Sequence, residues 1–558
     1  MNIQMKLAKE LESISNTILE SNLIDNTKTK YFEDLSQEIN NFKIYLPLIG
    51  NFNAGKSSIL NLLLEDEELL PTNILPETAI ATEIVYGTNE RVEAFIFEKN
   101  NPIATFDNLE ELNNQNIEDY GYLRIYKNSN FLSKNRDVVF VDMPGLDSNI
   151  DRHNSQILNY ISKDVVSFII VIDIDDGAIK DSTLRFINEI NNYKLDFFVL
   201  INKIDKKPLS EVKKIQESIK NQLFRYIENP FVGVVTTFDE NINDFKKIPS
   251  LIDKDKYIKT IFVEKIVFNL NRIIRDLEVR KNAIEMDTSE IDRKIEKFID
   301  GIYEFDKSLK KEKQIIENKF STDTLTKILT DIQKALEQNI DRLITSAKTS
   351  EDSFKITVNE IIRPIVISSI NKYTEQEFQL TLQHLEVAKN DIFVDMSDFL
   401  DKGKSTIDMI SYVVEQTPLL LKIPILANIL KFILTKVNPI ITVISTIVGI
   451  ASMFFGKSKE EQERENYEQI RYNIQHNTIP EIIVNLEPTI IEILNEIKKE
   501  FFMELENSIN KQKEELINSL NQAKEEKEKY KNEIINKIND FENLINKFNS
   551  YIERVSQI

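Results

Sequence analysis

At 558 residues the chain is long enough to bury a large core in more than one domain, and 70 basic against 91 acidic residues leave it with a net charge of -21. A surface this acidic repels polyanions, so no nucleic-acid partner is expected. The absence of cysteine excludes disulfides, thiolate zinc sites and a cysteine nucleophile, and three histidines speak against a histidine-rich metal centre; both counts suit a reducing compartment.

The first predicted element is an amphipathic helix in "MNIQMKLAKELESISNTILESNL", with Leu7, Leu11, Ile14 and Ile18 on one face. This is not the charged start and unbroken apolar core of a secretion signal, so a cytoplasmic location is expected. Residues 1–40 are assigned to a helical bundle that the other chain end also joins.

Seven of eleven glycines and eight of fourteen prolines precede residue 250, which separates a turn-rich region from a helical one. Within 41–250, apolar runs at 44–49, 92–97, 138–141, 166–172, 197–201 and 231–235 alternate with helix-length segments. That alternation predicts an α/β domain with a mixed, mostly parallel sheet.

After the first run comes "GNFNAGKSS", in which Gly50, Gly55, Lys56 and Ser57 satisfy G-x-x-x-x-G-K-[ST] between a predicted strand and a predicted helix. Backbone N–H groups along Asn51, Asn53, Ala54, Gly55 and Ser58 can wrap a phosphate, Lys56 can neutralise β and γ charge, and Ser57 can ligate Mg²⁺. Downstream, "FVDMPGLD" places Asp142 at a strand end to hold the Mg²⁺ shell and Gly145 to meet a γ-phosphate. The next strand but one ends in "INKID". There Asp205 can accept from the guanine N1 and N2 hydrogens, Asn202 can contact the ring edge, and the Lys203 stem can cover its face. Adenine lacks that paired donor edge, so the ordered set points to GTP and GDP rather than ATP. In "VVTTFD", Thr236 or Thr237 can lie near the base, or can be ordinary strand-end threonines.

Between 251 and 400 there is one glycine, Gly301, and one proline, Pro364, so residues 251–404 are read as long amphipathic helices forming a neck and trunk. "MDTSEIDRK" offers Asp287 and Glu290 as a capping box, hence a helix start and hinge near 285–290. Residues 405–456 contain "TPLLLKIPILANILKFILTKVNPIITVISTIVGIASMFFG", which has no acid and three lysines, Lys422, Lys431 and Lys436. Three readings compete: a hydrophobic tip embedded in one leaflet, a helix or helices that span the bilayer, and a stretch buried in the bundle or against a partner. The tip reading leads, because each lysine is attracted to an anionic leaflet while its stem snorkels. Its contacts would be Lys422, Ile425, Leu426, Ile429, Leu430, Lys431, Lys436, Ile440, Ile441, Phe454 and Phe455. In 457–558 the chain returns through the trunk to the neck, with three-and-four apolar spacing from Leu516 to Val555.

The P-loop with "GKSS", then "LLPTNILPET", "DMPG" and "NKID", in that order across 44–205, resembles the dynamin family, particularly bacterial dynamin-like proteins, which are related to mitofusins. The resemblance implies a Mg²⁺-dependent GTPase domain over 41–250, a helical neck and trunk, and a membrane paddle in the apolar segment. It makes Thr78, seven residues after Pro71, the second Mg²⁺ ligand, with Thr82 as the fallback. Ras-type GTPases place a water-orienting glutamine after D-x-x-G, where this chain has Leu146. Dynamins instead use a polar residue inside the P-loop and a monovalent cation near a neighbouring serine; here those places hold Asn51 and Asn53. The resemblance therefore implies a slow GTPase, stimulated when two such domains face each other in a homo-oligomer or with a second dynamin-like chain. The expected site of action is an anionic membrane, peripherally on the inner face of the cell membrane, with an integral hairpin as the variant. The competing function is a GTP-dependent switch whose trunk and apolar segment bind protein partners rather than lipid.

Overall fold

The structure, a computed structural model, describes residues 3–51, 53–66, 69–70, 80–96, 101–109, 111, 120–145, 160, 166–192, 195–284, 286–393, 467–530 and 533–558. The chain divides into two compact units, Phe42–Asp253 and Met1–Asn41 with Lys254–Ile558.

The first unit is built on nine strands: β1 Ile44–Gly50, β2 Ala81–Tyr86, β3 Arg91–Phe95, β4 Ala104–Phe106, β5 Tyr122–Lys127, β6 Val138–Asp142, β7 Ser167–Asp173, β8 Asp196–Asn202 and β9 Val232–Val234. They form one sheet in the order β4-β3-β5-β2-β6-β1-β7-β8-β9. Five of its ladders are parallel and three antiparallel, the mixed, mostly parallel sheet that the alternating runs predict. The central strands "VVFVD", "SFIIVID" and "DFFVLIN" are near-continuous apolar runs because both faces of the sheet are covered. Strands β2 and β5 escape the run-based reading for a physical reason: each carries a charge in its middle. Glu83 of β2 is fully buried and receives the Arg124 guanidinium of β5 at 2.7 Å, so two residues that look like surface in the sequence neutralise one another inside the sheet.

The parallel register gathers chemistry at one edge. Gly50, Asp142, Asp173 and Asn202 are the last residues of β1, β6, β7 and β8, and β1 and β6 both neighbour each other while Asp173 lies directly across the ladder from Asn202. Ligands of open α/β sheets bind outside these carboxyl ends.

The second unit is helical. Ile3–Glu20 packs on Thr29–Asn40, and Glu264–Ile284 packs on both Ile479–Lys529 and Ile534–Gln557. The 43-residue helix Glu351–Phe393 lies against Thr288–Lys319, Leu325–Gln338 and Ile340–Thr349. The apolar face Leu7, Leu11, Ile14 and Ile18 is buried. The two chain ends meet where the Thr17 and Tyr551 hydroxyls lie 2.8 Å apart and Arg554 donates to Glu10 at 3.0 Å.

The periodic stretch from Leu516 to Val555 is carried by two helices, for the chain leaves Ile479–Lys529 at Tyr530, whose N–H bonds to Glu526, and begins Ile534–Gln557 anew. One detail differs from the sequence reading. Helix Thr288–Lys319 does start beside Asp287, but the Asp287 carboxylate makes no capping hydrogen bond; the Glu290 N–H bonds to the Asp287 carbonyl, and the carboxylate lies 3.9 Å from Lys527. Among the described residues no helix is long and apolar enough to cross a membrane. The apolar segment, and with it every residue proposed for membrane contact, lies outside the described residues.

Candidate nucleotide site

The loop between β1 and helix Lys56–Leu64 is shaped by two close approaches. A side chain at Gly50 would meet the Val171 carbonyl at 2.4 Å, and Gly55 stands at φ +86 with the Asn202 amide 2.4 Å from where its Cβ would be. Both positions need glycine, the second for conformation and space alike. Lys56 is 6% exposed, and its Nζ donates to the carbonyls of Gly50 at 3.1 Å and Asn51 at 3.2 Å, which centres the charge within the loop. The Ala54 N–H bonds back to Asn51 at 3.1 Å.

Ser57, in the first turn of that helix, donates its hydroxyl to Asp142 Oδ2 at 2.6 Å. Asp142 is 1% exposed and its Oδ1 has no hydrogen-bond partner. Burial raises its pKa above the ordinary carboxylate value, against the opposing Lys56 charge and Ser57 bond. A buried carboxylate with an orphaned oxygen beside a serine hydroxyl fits a hard divalent cation, and Mg²⁺ needs only one or two protein ligands when substrate phosphates and water supply the others. The described residues contain no cluster of three or more His, Cys, Asp or Glu that would hold a metal alone. Gly145 is buried just past β6. Thr78 and Leu146 lie outside the described residues.

The base-side loop is tied to the phosphate loop. Asn202 Nδ2 donates to the Ala54 carbonyl at 2.9 Å while its Oδ1 accepts from the Lys203 N–H at 2.8 Å. Lys203, at φ +60, reaches over the loop so that its Nζ donates to Asn53 at 2.5 Å and Asp173 at 2.7 Å. Asp205 lies in the turn Ile204–Lys206 and accepts from the buried Thr236 hydroxyl at 2.5 Å, and Thr236 in turn accepts from the Phe238 N–H.

The family model described as the Dynamin family matches residues 46–204, from within β1 to just past Asn202. These residues are similar to the N-terminal domain of the dynamin family. An uncharacterised protein of Caldicellulosiruptor sp. is 31% identical over 215 residues, 37% of this chain and 50% of that one. Dynamin-like protein 1 of Campylobacter jejuni is 34% identical over 91 residues, 16% of this chain and 12% of the relative. The chain thus spans at most half the length of these curated relatives. A solved oligomerised bacterial dynamin pair aligns over 97% of this chain and 82% of its own at 15% identity, with a TM-score of 0.40.

Within the matched region the sequence reading missed Asp173 and the cluster around Glu83. Asp173 binds Lys203 and lies 3.8 Å from Lys206. Burial alone would raise its pKa, but the bonds from Lys203 and the Asp175 N–H and the two lysine charges leave it below the ordinary value. Its only trace in the sequence is an acid ending an apolar run, which gains meaning once β7 and β8 are known to be neighbours. Glu83 stands opposite Val141, next to the Thr82–Asp142 pair of the same ladder, and accepts from the Tyr160 hydroxyl at 3.1 Å. Burial pushes the Tyr160 phenol well above its ordinary pKa, so it acts as a hydrogen-bond donor there.

Proposed function

We propose that this protein binds and hydrolyses GTP with Mg²⁺, and that the cycle drives self-assembly and the tethering, fusion or remodelling of an anionic membrane. The observation that carries the nucleotide half of this reading is the convergence of Lys56, the Ser57–Asp142 pair with its orphaned Oδ1, and the Asn202–Asp205 loop on one sheet edge.

In this reading the backbone N–H groups from Asn53 to Ser58 cradle the phosphates, Lys56 neutralises charge on the β and γ groups, and the Gly145 N–H meets the γ-phosphate. Ser57 and Asp142 would hold Mg²⁺, with Thr78 as a further ligand. Mg²⁺, when bound there, would supply neutralisation of phosphate charge. Asp205, steadied by Thr236, accepts from the guanine donors, and Lys203, braced by Asp173, covers the ring. Asn51 is the residue assigned to positioning water, and a short amide there explains a slow chain that speeds up when two domains face each other. Phosphoryl transfer asks for positioning and charge stabilisation rather than covalent chemistry, so completing the site by pairing raises the rate. The membrane half rests on residues 417–456, apolar with three lysines in an otherwise acidic chain.

Turnover of GTP and ATP by the purified chain and by Lys56→Ala tests the first half. GTP should be hydrolysed far faster than ATP, and Lys56→Ala should lose about a hundredfold or more while the helical unit keeps its circular dichroism. Equal use of the two nucleotides would remove the guanine assignment. Sedimentation with anionic liposomes tests the second half, and a chain that stays in the supernatant would favour the switch that binds protein partners.

A further inference from the structure

The helical unit contains a cavity of about 390 Å³ where the start of Thr29–Asn40 faces Glu264–Ile284 and Ile479–Lys529. Five basic side chains, Lys28, Arg272, Arg275, Arg280 and Lys511, line it against three acidic ones, Asp25, Asp276 and Glu515. In a chain of net charge -21, such a reversal inside one cavity is a specific arrangement.

Two of the three acids are already paired with bases, and the third, Asp25, accepts from the Thr27 N–H. Asp276 lies 3.5 Å from Lys28 and 3.6 Å from Arg280, and also accepts from the Ser519 hydroxyl. Glu515 pairs with Arg272. Lys511 has no carboxylate at ion-pair distance among the described residues, and the positive charge of Arg272, with some burial, holds its pKa below the ordinary lysine value. Arg280 is 4% exposed, and its Nε is buried without a hydrogen-bond partner although its two terminal nitrogens are bonded to Leu23 and Glu526. Lys511 is therefore an unmatched cation on the cavity wall, while Arg280, its Nε closed to solvent and its terminal nitrogens bonded, fixes the wall behind it. The remaining wall is apolar and aromatic, with Tyr31, Phe32, Ile273 and Leu516, and the amides of Asn269 and Asn518 add hydrogen-bonding capacity.

We propose that this cavity binds a small organic anion, a phosphomonoester carried on an aromatic or apolar body. The phosphate meets the Lys511 ammonium and the Arg272 guanidinium, whose planar donors suit phosphate oxygens, and the body lies against Tyr31 and Leu516. The volume falls in the range of small-molecule sites, and an apolar wall with a few converging polar groups is their usual construction. Because the ligand would touch three helical segments far apart in sequence, binding braces the helical unit, and it does so independently of the nucleotide site.

The test is calorimetric titration of phenyl phosphate into the full chain saturated with GDP and Mg²⁺, so that the phosphate loop does not compete. Saturable one-site binding is expected, about tenfold or more tighter than inorganic phosphate, and undetectable for phenol. Lys511→Gln, an exposed substitution that breaks no ion pair, should weaken it about tenfold, a typical loss for a charged hydrogen bond. The Lys56→Ala variant should bind phenyl phosphate as the unaltered chain does. Vesicles of phosphatidic acid form a second arm: displacement of phenyl phosphate assigns the anion to a lipid headgroup, and no displacement assigns it to a soluble metabolite. Absence of saturable binding, binding unchanged in Lys511→Gln, or equal binding of inorganic phosphate would each overturn the proposal.

Discussion

Asp142 shows how, under the proposed function, a single side chain sets stability against function. Its carboxylate is buried beside Ser57 with one oxygen unpartnered, and burial raises its pKa. A raised carboxylate pKa means that the folded state holds its proton more tightly than the unfolded chain does. The group therefore costs nothing below its ordinary pKa and destabilises the nucleotide-free fold increasingly as pH rises through the folded value. Asp142→Asn should accordingly melt about 2 °C or more above the unaltered chain at neutral pH without nucleotide, and the two should converge in acid. The same variant should lose Mg²⁺-dependent nucleotide affinity. Thermal melts across pH, with and without GDP and Mg²⁺, check both halves; an Asn variant less stable at neutral pH would show that the Lys56 charge outweighs the burial. Asp173 has the opposite sign. Its lowered pKa makes its bond to Lys203 stabilising above the ordinary carboxylate value, and that contribution is lost as pH falls through the folded one.

At the scale of elements, the helical unit is held by aromatic contacts between long helices. Phe501 of Ile479–Lys529 is fully buried, stacks on Phe378 of Glu351–Phe393 with centroids 3.9 Å apart, and meets Phe502 edge-on at 5.0 Å. Phe320 extends the cluster to Phe378 at 5.7 Å, within a π-helical turn, Phe320–Thr324, that follows Thr288–Lys319. Phe501→Ala removes a ring from this centre and should cost about 3–5 kcal/mol, since such cavities collapse only in part. Denaturant unfolding followed by far-ultraviolet circular dichroism should show the loss, while GTP affinity at unchanged Lys56 and Asp142 stays within about twofold of the parent. A loss below about 1 kcal/mol would mean that the neighbouring helices close the gap.

At the scale of the whole molecule, the unusual feature is a nucleotide domain and an apolar, lysine-bearing stretch in one strongly acidic chain. Under the proposed function, replacing Ile425, Leu426, Ile429 and Leu430 together by Asp should abolish sedimentation with anionic liposomes and leave GTP affinity unchanged. Each aliphatic side chain is worth about 1.5–3 kcal/mol when buried in lipid, which exceeds the roughly 1 kcal/mol that each of Lys422, Lys431 and Lys436 adds at an anionic surface. Lost helicity in the quadruple variant would point instead to a stretch buried in protein, because aspartate there would be a buried charge without a partner.

Motifs and periodicity alone determined a great deal. Lys56, Ser57, Asp142 and the Asn202–Asp205 loop stand out in the sequence because, under the proposed function, phosphate and guanine chemistry demand particular residues at short spacings, and the structure brings them to one sheet edge. The helices of the second unit are readable because a buried face must repeat every three or four residues, as Leu7, Leu11, Ile14 and Ile18 do. What only the tertiary structure decided are the partnerships between residues distant in sequence. Glu83 and Arg124 look like surface until β2 and β5 are paired, Asp173 looks incidental until β7 lies beside β8, and the tail from Leu516 looks continuous until Tyr530 ends one helix. A charged residue can be buried only when another element arrives to neutralise it, and nothing in the local pattern records which element that will be.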